Sequence, residues 1–256
     1  ASLESVGDAV CATDEEDASA SGSFSMLSVP GSEEFTPNIG KLLAEAKQIV
    51  PAVLASEDDD SSSALLLDQG WTFAGSASGD GFTCAVYRKD LSPLPPVYVI
   101  CGTMDISVDT FHTLACDVEF RHKWDDQFHQ VTSDPVDGDT QLLHWVVKWP
   151  WPLAPRSYRY LLTPHELHDG TKLVMACSLA ESAANSPNRY GAVPVREYFG
   201  ITAARPNRDQ SRFCVFHFDD PHLPGKMPGW LERYVAQSLL PSFPKKIMAG
   251  AKLLVS

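Results

Sequence analysis

The run Thr140-Gln141-Leu142-Leu143-His144-Trp145-Val146-Val147-Lys148-Trp149, followed by Tyr158-Arg159-Tyr160-Leu161-Leu162-Thr163-Pro164, decides how this chain folds. Side chains alternate faces along a strand, so Leu143, Trp145, Val147 and Trp149 share one face. All four are apolar, which predicts a face turned inward. Tyr158, Tyr160 and Leu162 share a face of the next strand in the same way. The connection from Pro150 to Pro155 is expected to be ordered and extended, because each proline fixes its own φ. The two strands then stand side by side, with Trp145 near Tyr158. On the residues alone, filling a core accounts for these rings.

The pattern continues outward in both directions. Downstream, strands are predicted at Lys172 to Leu179, Val195 to Ala204 and Ser211 to Phe218, with Asp137-Gly138 and Asp169-Gly170 marking turns. Upstream, Trp71 to Ala74 and Phe82 to Tyr87 flank Gly79-Asp80-Gly81 as a hairpin, and Tyr98 to Met104 forms a third strand. Helices are predicted at Val108 to Ala115 and Val118 to Phe128. Ile39, Leu42, Leu43, Ala46, Ile49, Val50 and Val53 recur at helical spacing before them. Glu57 to Ser63 is expected to be a solvated loop; its spacing is not that of a calcium loop. Pro228 to Leu254 reads as a last helix that Pro241 and Pro244 kink or split. This order predicts an α+β fold: a curved antiparallel sheet wrapped around a long C-terminal helix, with a pocket where the helix does not fill the concavity.

The chain has 256 residues and a formal charge of -13. Thirteen acidic residues against Lys41 and Lys47 place -11 of that charge before Ser63, leaving only -2 for the rest. A body without a basic stripe argues against a nucleic-acid partner. Residues 1–35 are rich in Ser, Ala, Gly, Asp and Glu and are expected to form a disordered acidic leader, with the folded domain at 36–256. The leader is a candidate docking segment for a protein partner. It lacks the arginines of a transit peptide, and the start at Ala1 is compatible with a missing upstream segment. The six cysteines form no CxxC pair and sit mostly in apolar runs, as reduced core thiols do. No apolar run approaches the ~20 residues of a membrane span.

Catalytic and metal motifs fail on spacing. His165-Glu166-Leu167-His168 has its histidines three apart beside a turn, whereas HExxH needs four on one helix face. Gly75-Ser76-Ala77-Ser78-Gly79 lacks a central nucleophile. His217 and His222 around Asp219-Asp220 read as a surface turn rather than a metal site. No metal and no cofactor is expected. A sharper pair is Arg121 and Asp125, four apart on a predicted helix whose Phe120, Trp124 and Phe128 are apolar. Inside a pocket, that pair could meet a ligand phosphate, for which Arg is the suited side chain.

Asp117-Val118-Glu119-Phe120-Arg121-His122-Lys123-Trp124-Asp125 resembles the signature of the START (StAR-related lipid-transfer) domains. The resemblance continues through His144 to Pro152, Pro155 to Tyr160, Val195 to Tyr198 and Phe216 to Pro221. It covers about Thr36 to Ser256 in order and is nearest to the phosphatidylcholine-transferring members. It implies a helix-grip fold with an internal lipid cavity and no enzymatic activity. It also implies an aromatic box for choline made by Trp145, Tyr158 and Tyr198, with Arg121 meeting the phosphate and Asp125 holding Arg121. Tyr160 joins the expected ligand-binding set. Ser157 stands where the family usually has Asp, and Gly200 where a polar side chain reaches the lipid. The family further implies a lid-like loop at Ser182 to Pro194 that touches membranes together with the last helix.

The expected function is therefore binding or transfer of one phospholipid, phosphatidylcholine first, by a cytoplasmic protein peripheral at membranes. The alternatives are another lipid (ceramide, sterol or a different phospholipid), a lipid-sensing regulatory module, or an enzyme on the same scaffold.

Overall fold

The computed structural model describes Phe24, Leu27 and residues 37–179, 190–223 and 227–255. The first helix, α1 (Pro37–Ala55), is followed by α2 (Asp59–Asp68) and three strands, β1 (Thr72–Gly79), β2 (Phe82–Lys89) and β3 (Val97–Met104). Helices α3 (Val108–Cys116) and α4 (Val118–Arg121) interrupt the sheet. It resumes with β4 (Phe128–Asp137), β5 (Thr140–Val147), β6 (Arg156–Glu166), β7 (Lys172–Ser178), β8 (Val193–Pro194), β9 (Glu197–Asn207) and β10 (Gln210–Asp220). The chain ends in α5 (Gly229–Tyr234), one π-helical turn at Val235–Leu239 and α6 (Ser242–Leu254).

The strands form a single sheet in the order β1-β2-β3-β10-β9-β7-β6-β5-β4, antiparallel throughout that path. The short β8 adds to β6 in parallel. The central strands are buried on both faces. Phe199, Ile201, Phe216 and Phe218 join Ile39, Leu42, Ile49 and Val53 of α1 in one cluster. The alternate residues Tyr98, Ile100, Phe213 and Val215 face α3 and the C-terminal segment on the other side. Two-sided burial is why these strands read as nearly continuous apolar runs. Asn38 Nδ2 donates to Glu197 Oε2 at 3.0 Å and ties α1 to β9. Phe24 and Leu27 are also buried in the α1 cluster, although the sequence places both in the acidic leader.

Three local expectations need correction. Glu57 to Ser63 is not all loop: Asp58 caps α2 by accepting from the Ser61 amide at 2.8 Å, and Asp59 and Asp60 occupy its first turn. A carboxylate cap satisfies a first-turn amide that has no partner within the helix, and further acids there face the positive end of the helix dipole. The helix expected to reach Phe128 ends at Arg121, and Phe128 instead starts β4. β4 itself was not foreseen. It is the edge strand, mostly exposed beyond Val131, and it carries Pro135. Edge positions tolerate proline and need no alternating apolar pattern. Among the described cysteines all five are free thiols, and burial raises them, Cys101 to about 12.

The C-terminal segment divides at Pro241, as its prolines suggest, and Pro244 sits harmlessly in the first turn of α6. Gly250 lets α6 approach closely, since a Cβ there would lie 2.9 Å from the Trp124 ring.

Candidate functional site: a cavity between sheet and C-terminal segment

A cavity of about 250 Å³ lies between the concave face of the sheet and the C-terminal segment. Ile100, Val215, Leu231, Val235, Leu239 and Ile247 supply aliphatic lining. All six proposed site residues, Arg121, Asp125, Trp145, Tyr158, Tyr160 and Tyr198, also line it. The period-two reading of β5 and β6 thus places the rings on the correct face. Trp145 stands directly opposite Tyr158 in register.

The rings form a file of successive contacts that folds back on itself, because Trp145 and Tyr158 are neighbours across β5 and β6. Trp145 stacks on Tyr160 with centroids 6.2 Å apart, and Tyr160 meets Tyr198 at 5.0 Å. Tyr198 meets Tyr158 edge-on at 5.6 Å. Trp145 and Tyr158 are therefore connected through Tyr160 and Tyr198. Gly200 contributes to this packing: a Cβ there would come within 3.2 Å of the hydroxyl of Tyr198, whose ring leans along β9 over it. Ser157, on the opposite face, makes a 3.1 Å hydrogen bond with His144.

One end of the file carries positive charge. The Arg121 guanidinium lies 4.5 Å from the Trp145 centroid, close enough for a cation–π attraction. Its Nε donates to Asp125 Oδ2 at 3.2 Å. Although α4 ends at Arg121, the next turn still closes, with the Asp125 amide donating to the Arg121 carbonyl at 3.0 Å. That turn preserves the four-residue spacing. Lys246 of α6, which sequence reasoning did not select, donates to Asp125 Oδ1 at 2.8 Å. Asp125 is thus shared by two cations from opposite walls of the cavity. Burial pushes its carboxyl up, but Arg121 and Lys246 outweigh burial and hold it below the usual carboxylate range.

The other end carries a carboxyl group. His217 and Asp219 do not belong to a surface turn: β10 runs on to Asp220, and both side chains line the cavity. The signal was present, since 213, 215, 217 and 219 share one face by period two. Tyr158 Oη donates to Asp219 Oδ2 at 2.7 Å, while Asp219 Oδ1 is buried with no hydrogen-bond partner among the described residues. Burial drives Asp219 up to about 7, opposed by the Tyr158 hydrogen bond, and drives His217 down to about 4. Burial, with Asp219 nearby, also pushes Tyr198 up to about 12 and Tyr158 well above its ordinary value.

Among the described residues, no cluster of His, Cys, Asp or Glu is arranged to hold a metal ion, and no helix is long and apolar enough to cross a membrane. Most of the expected lid, residues 182–189, lies outside the described residues, as do Lys226 and Cys11.

The START domain model matches residues 68–255. A rat phosphatidylcholine transfer protein is 30% identical over 138 residues, 53% of this chain and 63% of the relative. The match therefore spans less than two thirds of the length of that relative. The human phosphatidylcholine transfer protein is 26% identical over 151 residues, 58% of this chain and 69% of the relative. The human mitochondrial StAR-related lipid transfer protein 7 is 26% identical over 158 residues, 59% of this chain and 42% of the relative. The crystal structure of human STARD10 aligns with TM-score 0.56 and 18% identity, covering 76% of this chain and 80% of that one. Human StAR-related lipid transfer protein 5 aligns with TM-score 0.57 and 16% identity, covering 83% and 99%. With a helix-grip fold, a cavity under the C-terminal segment and a family match over most of its length, this chain belongs to the START-domain family.

Proposed function

We infer that the protein binds one phospholipid in this cavity, phosphatidylcholine above other lipids, and carries or senses it without catalysing a reaction. The observation that supports this most is the aromatic file with Arg121 and Lys246 at one end. A quaternary ammonium has no N–H to donate, so ring faces suit it, each contributing ~0.5–2 kcal/mol. A phosphate suits the guanidinium of Arg121, with Asp125 holding it in place. Phosphatidylcholine transfer proteins among the relatives point the same way. Two acyl chains need more room than about 250 Å³. The segment from Trp230 to Leu254 forms the wall that lies outside the sheet ladder, and its outward movement would supply that room. Each buried CH₂ then contributes ~0.8 kcal/mol.

The non-enzymatic reading has a local argument. Asp219 is hydrogen-bonded to Tyr158 rather than to His217, so the two do not form an acid–base relay. We place the folded domain at 36–256, with α1 as part of it and Phe24 and Leu27 packed against it from the leader, and we assign the rest of the leader as a docking segment for a protein partner. Residence is proposed to be cytoplasmic and peripheral at membranes. Trp151, 91% exposed on the link between β5 and β6 beside the cavity-lining Trp149 and Pro150, is suited to transient membrane contact.

Native mass spectrometry of the purified protein tests the ligand. A co-purifying choline phospholipid at one per chain is the expected result. Protein that stays empty after incubation with phosphatidylcholine vesicles would sink the reading, and a sterol or ceramide in its place would select another lipid class.

A further inference from the structure

The succession of ring contacts starts at a cation, Arg121, and finishes at a carboxyl group, Asp219. From Arg121 the contacts run to Trp145 at 4.5 Å, then Tyr160 at 6.2 Å, Tyr198 at 5.0 Å and Tyr158 at 5.6 Å. The last ring donates its hydroxyl to Asp219 at 2.7 Å. We propose that Asp219 is the countercharge for the headgroup cation: it draws the ligand's nitrogen to the Tyr158–Tyr198 end of the cavity while Arg121 receives the phosphate, and so selects lipids whose headgroup is a zwitterion.

The surroundings of Asp219 support this assignment. Among the described residues no cation lies within salt-bridge distance of its carboxylate. The buried guanidinium of Arg156, which attracts Asp219 without a salt bridge, directs its Nε to the Pro221 carbonyl at 2.6 Å and its Nη1 to the Ala154 carbonyl at 2.5 Å. It also lies over the Trp149 ring at 4.8 Å. Asp220 is 3.9 Å from Arg196, which offers Asp219 nothing. A buried carboxyl with one free oxygen and no ion-pair contact is costly unless something compensates it, and the pull of Arg156 is outweighed by burial. A quaternary ammonium would compensate it without a directional bond, because Coulomb attraction needs only proximity in a low-dielectric cavity. The Arg121 guanidinium already covers a face of Trp145, which leaves the tyrosine end as the better seat for a second cation.

Ionisation follows from the same geometry. Burial raises Asp219 to about 7, so both its protonated and its ionised forms are within reach near neutrality. Of the groups around it, Tyr158 and Tyr198 are held neutral and His217 titrates near 4, while Asp220 raises Asp219 and Arg156 lowers it. A bound cation would drive the proton off Asp219.

The inference rests on the phosphocholine reading above, and the test separates the two. The probes are diheptanoyl phosphatidylcholine and its isostere in which the trimethylammonium is replaced by a neutral tert-butyl group, so that only the phosphate charge remains. Wild type is expected to prefer the choline lipid by about tenfold or more, and Asp219→Asn to lose most of that preference while keeping the Tyr158 hydrogen bond. An unchanged preference in a folded Asp219→Asn overturns the role of Asp219. Wild type that binds neither probe overturns the phosphocholine reading and this one with it. A second measurement needs no variant: calorimetry at pH 7 in two buffers of different ionisation enthalpy. Proton release on binding the choline lipid, absent with the isostere, is expected, and equal proton counts for both probes overturn the proposal.

Discussion

The guanidinium carbon of Arg121 sits 4.5 Å from the centre of the Trp145 ring, so a cation of the protein itself already lies on the aromatic surface proposed to receive choline. The same Arg121 is held by Asp125, and Asp125 is held by Lys246 of the C-terminal helix. The proposed phosphate end, the first ring and the movable wall are thus mechanically one unit.

Tyr198 touches Tyr158, Tyr160 and His217, the most ring contacts of any residue in the file. Tyr198→Ala is expected to slow transfer of phosphatidylcholine between vesicles by about 3- to 30-fold, from ~0.5–2 kcal/mol of lost ring contact. Transfer of an ethanolamine lipid should fall less, because its ammonium keeps N–H donors for other partners. Equal losses would mean that the ring only supports the fold.

Replacing Lys246 tests the wall. Its Nζ lies 2.8 Å from the buried Asp125 and 3.3 Å from the exposed Asp126. Lys246→Met keeps the stem but leaves Asp125 with Arg121 alone. Stability in urea is expected to fall by roughly 1–3 kcal/mol, as when a partly buried charge loses one partner. Lipid exchange should become faster, because α6 loses its tie to the site. Slower exchange would refute the tie.

Asp219 and His217 predict opposite pH slopes. The folded pKa of Asp219, about 7, exceeds its unfolded value, so its contribution is complete below about pH 4 and is lost as pH rises to about 7. The folded pKa of His217, about 4, lies below its unfolded value, so its contribution is complete above about pH 6.5 and is lost as pH falls to about 4. The two slopes largely cancel in that window. Asp219→Asn removes one of them. Its urea midpoint should gain on that of lipid-free wild type between pH 4.5 and pH 7.5. A constant difference between the two would contradict the assignment.

Phe24 is 1% exposed, in one cluster with α1 and the sheet. Phe24→Ala should cost about 3–5 kcal/mol in equilibrium unfolding. Removal of residues 1–35 is then expected to lower stability as well as any partner docking, and partner docking should be tested with a variant that keeps Phe24 and Leu27. A loss under 1 kcal/mol would detach Phe24 from the core.

Trp151 is exposed, so Trp151→Ala should change stability by no more than about 0.5 kcal/mol. Co-sedimentation with phosphatidylcholine vesicles should nevertheless fall. Undiminished sedimentation would remove this side chain from the membrane contact.

Much of this architecture was legible from local pattern. Alternation placed Trp145, Tyr158 and Tyr160 on the cavity face, and a four-residue step brought Arg121 to Asp125, because both periodicities are properties of the backbone itself. What tertiary structure decided lies between distant segments. Lys246 and Asp125 are 121 residues apart, and Tyr158 and Asp219 are 61 apart. No local rule relates such residues; sheet order and the seating of α6 bring them together. β4 escaped notice because an edge strand need not alternate. His217 and Asp219 looked like a surface turn because charged residues rarely enter a cavity, and burial becomes visible only when the strands on either side are in place. The sequence by itself determined the fold class, the inward rings and the Arg121–Asp125 pair. Only the tertiary structure decided that the rings form a file with Arg121 at one end and Asp219 at the other, because the position of each charge depends on a strand or helix contributed from far along the chain.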